Sequence, residues 1–478
     1  MSPPAGVETK SAHPAWSELA SEGRWPIFAL LCLGTWLTAA DMLMTATIMP
    51  SVAADIGGYG AFGWAVALFE LGAILAAASS GRLSLRYGLR HGLVLGASVY
   101  AFGCLVSALA PDIVLFLVGR ALQGIGGGWI VGLCFVAVTS LFPERLWPLI
   151  LAAISGVWGV ATLGSPAIGG FFAEINFWRG AFWFFAIQAV GFGVAIFFLI
   201  DNRKPAESAV SPQKPPFLQF SALTLSIVII SAAGLVQQIA FSVLLGVLGV
   251  ALLVFFLRLD AGAPNPLLPS ETGKLSTAVG SGLFMIFATS AAGIVFVVYG
   301  PAILQIIYGV SPLWAGYILG AEALAWTAAA FAVASLPLRY DAFFISLGAF
   351  CVFIAVAGFA YAIPHGPLWL VVACALVQGA GFGFLWSFSA TRIVSNARVE
   401  ERSMASSTVP TAQMIGHSVG AAATGAVANL LGFGGGIDMK LALEGGFWLF
   451  AASLPIGLLG WIAALWLSRR RFASQSAI

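Results

Sequence analysis

The sequence predicts an all-α membrane protein of fourteen transmembrane helices, arranged as two six-helix pseudo-repeats with two further helices between them. Three observations carry that prediction. The 478 residues are 60% hydrophobic and 8% charged, where a soluble chain carries about 25% charged residues. The apolar residues fall in runs long enough to span a bilayer, which takes about 20 residues of helix. Two short stretches of the first half return in the second, displaced by nearly the same length of chain.

Taken in order, the runs place helices near 25–50, 59–80, 91–109, 112–140, 146–172 and 180–200, which form an N-terminal six-helix bundle over 25–200. A pair near 217–235 and 239–258 is inserted next; the short turn Val236–Gln237–Gln238 leaves open whether these two cross fully or form a hairpin. Runs near 276–306, 312–335, 342–361, 367–392, 403–431 and 445–468 make the C-terminal bundle, 276–468. Residues 1–24 read as a flexible cytoplasmic tail, 201–216 as a cytoplasmic linker and 469–478 as a second cytoplasmic tail. No cleavable signal peptide is evident, because the first apolar run is too long for one. Lys and Arg favour cytoplasmic loops. With both termini in the cytoplasm, only Arg179 and Lys440 of the 21 basic residues fall outside and Arg120 lies within a run. Most of the other basic residues, Arg392 among them, read as topological anchors. Cys32, Cys104, Cys134, Cys351 and Cys374 sit in apolar runs without metal-ligand spacing, as small buried hydrophobes do.

The stretch Phe116–Gly128, FLVGRALQGIGGG, organises the first half. A charge at membrane depth costs about 3 kcal/mol, so Arg120 is expected to face a partner or a cavity. Gln123 adds an amide, and Gly124, Gly126, Gly127 and Gly128 a smooth strip on which another helix can pack closely. Leu122–Gly128 is echoed by Val377–Gly383, and Leu85–Arg86–Tyr87–Gly88 by Leu338–Arg339–Tyr340–Asp341. Parallel repeats of this kind occur in transporters whose substrate site lies between the halves.

Several stretches carry a family likeness. Gly81–Arg90 after the second helix reads GRLSLRYGLR; Arg120–Gly128 and the run from Trp158–Gly159 to Gly169–Gly170 follow in the fourth and fifth helices; Asp41 with Pro50 marks the first. Tyr299–Gly300–Pro301, Leu304–Gln305 and Tyr308–Pro312 open the second half. In these the chain resembles the major facilitator superfamily, and within it the fourteen-span drug:proton antiporters. Leu85 stands where that family has aspartate, and Leu43 and Ala46 where it has Thr and Asn. The resemblance implies a multi-pass protein of a bacterial inner membrane, expected as a monomer. It also implies gating by a loop containing Gly81, Arg86, Gly88 and Arg90, and by the fifth-helix set Gly159, Gly164, Pro166, Gly169 and Gly170. Glycines with a proline independently suit a helix that packs flat and bends.

Few other ionisable side chains lie at membrane depth: Asp41, Glu70, Glu322 and His417. Burial favours the neutral form of an acid, so such a group can take a proton on one side and release it on the other. Proton coupling is assigned to Asp41, Glu70 and Glu322 with Arg120. Substrate contact is assigned to Glu70, Glu322, Gln123, Trp158, Gln305 and His417; for His417 a packing hydrogen bond is the plainer reading. Gln378 and Gln413 are further neutral polar contacts.

No phosphate-binding loop, nucleophile elbow or zinc spacing occurs, so a proton gradient rather than ATP or a cofactor is the expected drive, and no enzyme activity is expected. Scattered basic residues exclude a nucleic-acid surface. The partners expected are protons, the bilayer and a small molecule. Export of amphipathic, cationic compounds is the leading expectation. Export of an anionic or zwitterionic metabolite held by Arg120 is the alternative, and a multi-span enzyme or sensor would need a soluble domain or a surface catalytic cluster that the chain lacks.

Overall fold

A computed structural model of the chain describes residues 24–143, 146–201, 216–234, 236, 238–264, 266–334 and 336–469. The first 23 residues of the N-terminal tail, nearly all of the linker and the C-terminal tail beyond Arg469 lie outside the described residues, as does Gln237 of the short turn.

The helices are α1 Trp25–Ile56, α2 Phe62–Tyr87, α3 Leu89–Ala108, α4 Ile113–Leu141, α5 Trp147–Glu174, α6 Arg179–Leu199, α7 Phe217–Ala233 and α8 Ile239–Ala261. They continue as α9 Ala278–Tyr308, α10 Pro312–Ala334, α11 Asp341–His365, α12 Leu368–Asn396, α13 Arg402–Leu430, α14 Met439–Ala451 and α15 Leu454–Ser468. Local chemistry sets the ends. The carboxylates of Asp112 and Asp438 accept from Leu115 N and Leu441 N, and Thr277 Oγ1 accepts from Gly280 N, capping α4, α14 and α9. Gly88 (φ +82°) and Gly309 (φ +62°) end α2 and α9 in a backbone conformation that side chains resist.

Among the described residues, 12 spans are long and apolar enough to cross a membrane, with α14 and α15 together counting as one. Two of the fourteen predicted spans fall short for different reasons. α7 has only 17 residues. α13 is 29 residues long, but Ser, Thr, Gln and His dilute its apolar character. The segment Gly81–Tyr87 is not a loop: it forms the last two turns of α2, because no helix-breaking residue intervenes before Gly88.

Helices α1 to α6 pack chiefly on one another, as do α9 to α15. The same device operates in both sets. A Cβ on Gly124 would overlap the carbonyl oxygen of Phe69, and one on Gly128 that of Ala73; a Cβ on Gly379 would overlap the carbonyl of Glu322, and one on Gly383 that of Trp326. Two backbones therefore touch in each half, α4 on α2 and α12 on α10, as small residues permit. The α7–α8 hairpin, tied by Ser226 Oγ donating to Gly249 O at 2.7 Å, lies against α13 and α2 through α7.

The two sets meet along α5–α10 and α2–α13. At the end where α1 finishes the seams are tight. A Cβ on Gly170 would come 2.5 Å from Leu313 Cα, and one on Gly316 2.8 Å from Pro166 Cβ. Ser418 Oγ donates to Ala67 O at 3.3 Å and Asn429 Nδ2 to Gly60 O at 2.9 Å. Toward the end where α1 starts the seam opens: Gly159 has only Thr327 Cγ2 at 4.0 Å, and Gly156 has nothing near. A cavity of about 740 Å³ lies at this open end, lined by Trp386, Thr391, Ser395, Arg402 and Ser406 of α12 and α13.

Candidate functional site

The sequence-predicted ionisable residues at membrane depth distribute among three buried polar groupings inside the helix bundle. The first is built on α4. Arg120 is 1% exposed and Asp41, reaching from α1, is fully buried. Arg120 Nη1 donates to Asp41 Oδ2 at 2.7 Å and also to Gln123 Oε1 one turn along. Gln123 Nε2 donates to Ser107 Oγ of α3 at 3.1 Å. The ring of Phe69 from α2 closes the group, its centroid 4.5 Å from the guanidinium carbon. Four helices are joined around a pair of charges that cancel. Arg120 thus has the partner its depth requires, and its charge is already used inside the first half.

The second grouping occupies the matching place in the other half and is built differently. Ala375 and Gln378 follow the same chain pattern as Arg120 and Gln123, so the arginine is absent. Glu322 of α10, 8% exposed, stands where Phe69 stands in α2. Gln378 Nε2 donates to Glu322 Oε1 at 2.7 Å and to Gly293 O of α9 at 3.3 Å. Among the described residues no cationic side chain pairs with this carboxylate. A charge there has one neutral donor in place of a counter-ion, so gaining a proton or a cation lowers the cost of its burial. Trp326, one turn along α10, lies 6.0 Å edge-on from Trp386, which lines the cavity.

The third grouping bridges the halves. Glu70 of α2, 5% exposed, has Oε1 3.4 Å from His417 Nδ1 of α13. The two flank Ser418, whose hydroxyl makes the neighbouring crossing to Ala67.

The remaining predicted residues are more dispersed. Trp158 is 48% exposed on the open stretch of α5. Gln305 sits late in α9 with its Nε2 buried and unpartnered, and no hydrogen bond links it to Glu70 or Glu322. Of the fifth-helix set, Pro166 and Gly170 face α10 across the seam, Gly164 and Gly169 face Trp36, Met44 and Ile48 of α1, and Gly159 sits where the seam opens. Gly81 has free space around it. Arg86 lies over Tyr87 and Arg90 over Phe197, and among the described residues neither makes an ion pair, consistent with Leu85 in place of an acid.

Sequence reasoning missed two ion pairs. Arg392, read as a topological anchor, is 3% exposed and pairs with Asp341 at 2.5 Å, while its Nη2 donates to Ser468 O at 3.1 Å. The pair ties together α11, α12 and α15 at the open end. Its signal was Asp341 itself, the one acid in the second copy of the repeated Leu–Arg–Tyr stretch. Arg179, read as lying outside the membrane, pairs with Asp55 at the closed end.

The profile of the family described as Major Facilitator Superfamily matches residues 31–364. The chain belongs to the major facilitator superfamily. It is therefore a secondary transporter of small molecules in a membrane and not an enzyme. A probable multidrug-efflux transporter of Mycobacterium tuberculosis is 28% identical over 439 residues, covering 88% of this chain and 91% of its own. An uncharacterised transporter of Escherichia coli is 25% identical over 426 residues, covering 86% and 91%. Among solved structures, a bacterial homologue of the human lysosomal transporter Spinster matches in fold with a TM-score of 0.66 at 12% identity, covering 93% of this chain and 96% of that one.

Proposed function

We propose that this major facilitator superfamily protein is a proton-coupled exporter of amphipathic, cationic compounds, working by alternating access in a bacterial inner membrane. The observation that carries the reading is Glu322. It is a buried carboxylate without a counter-ion among the described residues, one helical turn from Trp326, whose ring meets Trp386 of the open cavity's lining. A cation and a proton each relieve the same buried charge, so they compete for it, and that competition is antiport. The efflux name carried by the mycobacterial relative supports the direction of transport. The metabolite alternative loses its anchor, because Arg120 is already neutralised by Asp41.

In this reading the chain crosses the membrane fourteen times with both termini in the cytoplasm. α13 counts as a crossing because it is long and buried by neighbours, and α7 because it pairs with α8. The open end is then cytoplasmic and the arrangement inward-facing. Within the predicted coupling set Glu322 carries the proton, Asp41 with Arg120 braces the first half, and Glu70 with His417 marks the seam that must part.

The test is efflux of tetraphenylphosphonium from proteoliposomes under an imposed acid gradient. Gradient-driven efflux by the natural protein that is lost in Glu322→Gln supports the reading; efflux indifferent to the gradient refutes it.

A further inference from the structure

Gln378 holds an orientation that its neighbours dictate. An amide can be turned either way to suit its hydrogen bonds, but the carbonyl oxygen of Gly293 can only accept. It therefore fixes the NH2 of Gln378 as the group that faces it, at 3.3 Å. The same nitrogen meets Glu322 Oε1 at 2.7 Å, so Oε1 must be an acceptor whatever the protonation of the acid. Glu322 Oε2 makes no hydrogen bond among the described residues. The backbone of α10 at Glu322 is pressed against Gly379, where a Cβ would have no room, so α10 and α12 bring the two residues close together.

We propose that Gln378 is the positioning residue of the proton site: it holds Oε1 of Glu322 as an acceptor and leaves Oε2 as the atom that gains and loses the proton. This rests on the assignment of Glu322 above and adds a residue to it. Gln123 in the first half looks equivalent by sequence but serves another purpose. Its oxygen is occupied by Arg120 and its NH2 by Ser107, and Phe69 fills the place where an acid would stand.

The elements packed against Glu322 carry few competing groups. On α1 they are Cys32, Asp41 and Asp55, on α5 Glu174, on α9 Tyr299 and Tyr308, and on α12 Cys374 and Arg392; Tyr317 is on α10 itself. Of the charged ones, Asp41, Asp55 and Arg392 are held by Arg120, Arg179 and Asp341. None of these residues hydrogen-bonds to Glu322.

The test reads the acid directly and needs no cargo. Infrared difference spectra of the full chain in lipid nanodiscs are recorded during a pH titration, and the carboxylic-acid carbonyl band lost in Glu322→Gln is assigned to Glu322. An amide that donates to a carboxylate favours its charged form. In Gln378→Met, which keeps the shape and removes the amide, the midpoint of that band is expected to move upward by about one pH unit or more. Gln378→Asn restores part of the shift, and Gln123→Met produces none. Gln378→Leu replaces Gln378→Met should the latter fail to fold. A midpoint that stays put, or one that Gln123→Met moves as far, overturns the proposal, as does a spectrum in which Glu322→Gln removes no titrating band. Failure of the exporter reading shows elsewhere, in gradient-driven flux, so an unmoved midpoint beside intact coupling rejects Gln378 alone.

Discussion

Glu322 and Phe69 are counterparts: each presents its backbone carbonyl to a glycine of the facing helix, Gly379 and Gly124. The first half uses that position for a ring over the guanidinium of Arg120. The second half uses it for a carboxylate that, among the described residues, hydrogen-bonds only to the amide of Gln378. One fold position, repeated, thus serves a brace in one half and a titratable group in the other.

The brace is expected to matter for stability more than for coupling. Replacing Arg120 by Ala leaves Asp41 as an uncompensated buried charge and should destabilise the protein by about 3–5 kcal/mol. Replacing Asp41 by Leu and Arg120 by Met together should recover most of that loss, because both charges leave at once. Unfolding of the purified variants in detergent checks both outcomes.

The fifth-helix residues at the seam should act on the conformational cycle. Gly170→Val places bulk where Leu313 Cα already stands, so the closed end cannot pack as it does now. Transport is expected to fall with little loss of folded protein. A matched Gly191→Ala, made on α6 where nothing lies near, should transport normally. Distances between spin labels on α5 and α10 at the closed end should lengthen in the first variant and not in the second.

Glu70 and His417 should behave as one unit. Each single substitution to Ala is expected to raise backbone hydrogen exchange in residues 62–70 of α2, and the double substitution to add little beyond either alone. Additive effects would show that the two contact other partners more strongly than each other.

At the open end, Asp341→Asn should loosen the junction of α11, α12 and α15, leaving Arg392 buried with weaker acceptors. The expected readout is faster exchange of residues 341–346 and a lower melting temperature, partly restored when Arg392 is also changed to Met.

Much of this architecture is legible in the sequence. Span positions follow from apolar runs, and the pairing of the halves from the repeated Gln–Gly strip. What the sequence hid was partnership across distance. Nothing near Arg120 in the chain names Asp41 as its mate, since the two meet only once α1 and α4 pack. Arg392 looked like a loop anchor because it follows an apolar run, and the burial that changes its meaning comes from α11 and α15. Gly81–Tyr87 reads as a loop through the family resemblance and the end of the second apolar run near residue 80, yet the helix continues through it and stops at Gly88. α13, placed near 403–431 in the sequence, is a long helix whose Ser, Thr, Gln and His residues keep it less apolar than the other long spans.

The central claim is that one carboxylate exchanges a proton for a cation. It is tested most directly by running the exchange backwards, with an outward gradient of tetraphenylphosphonium in proteoliposomes at equal starting pH and a pH-sensitive dye sealed inside. The account predicts that the cation gradient drives protons inward in the natural protein and that Glu322→Gln abolishes the pH change. Proton movement that persists in Glu322→Gln, or its absence from the natural protein while the cation still crosses, would contradict it.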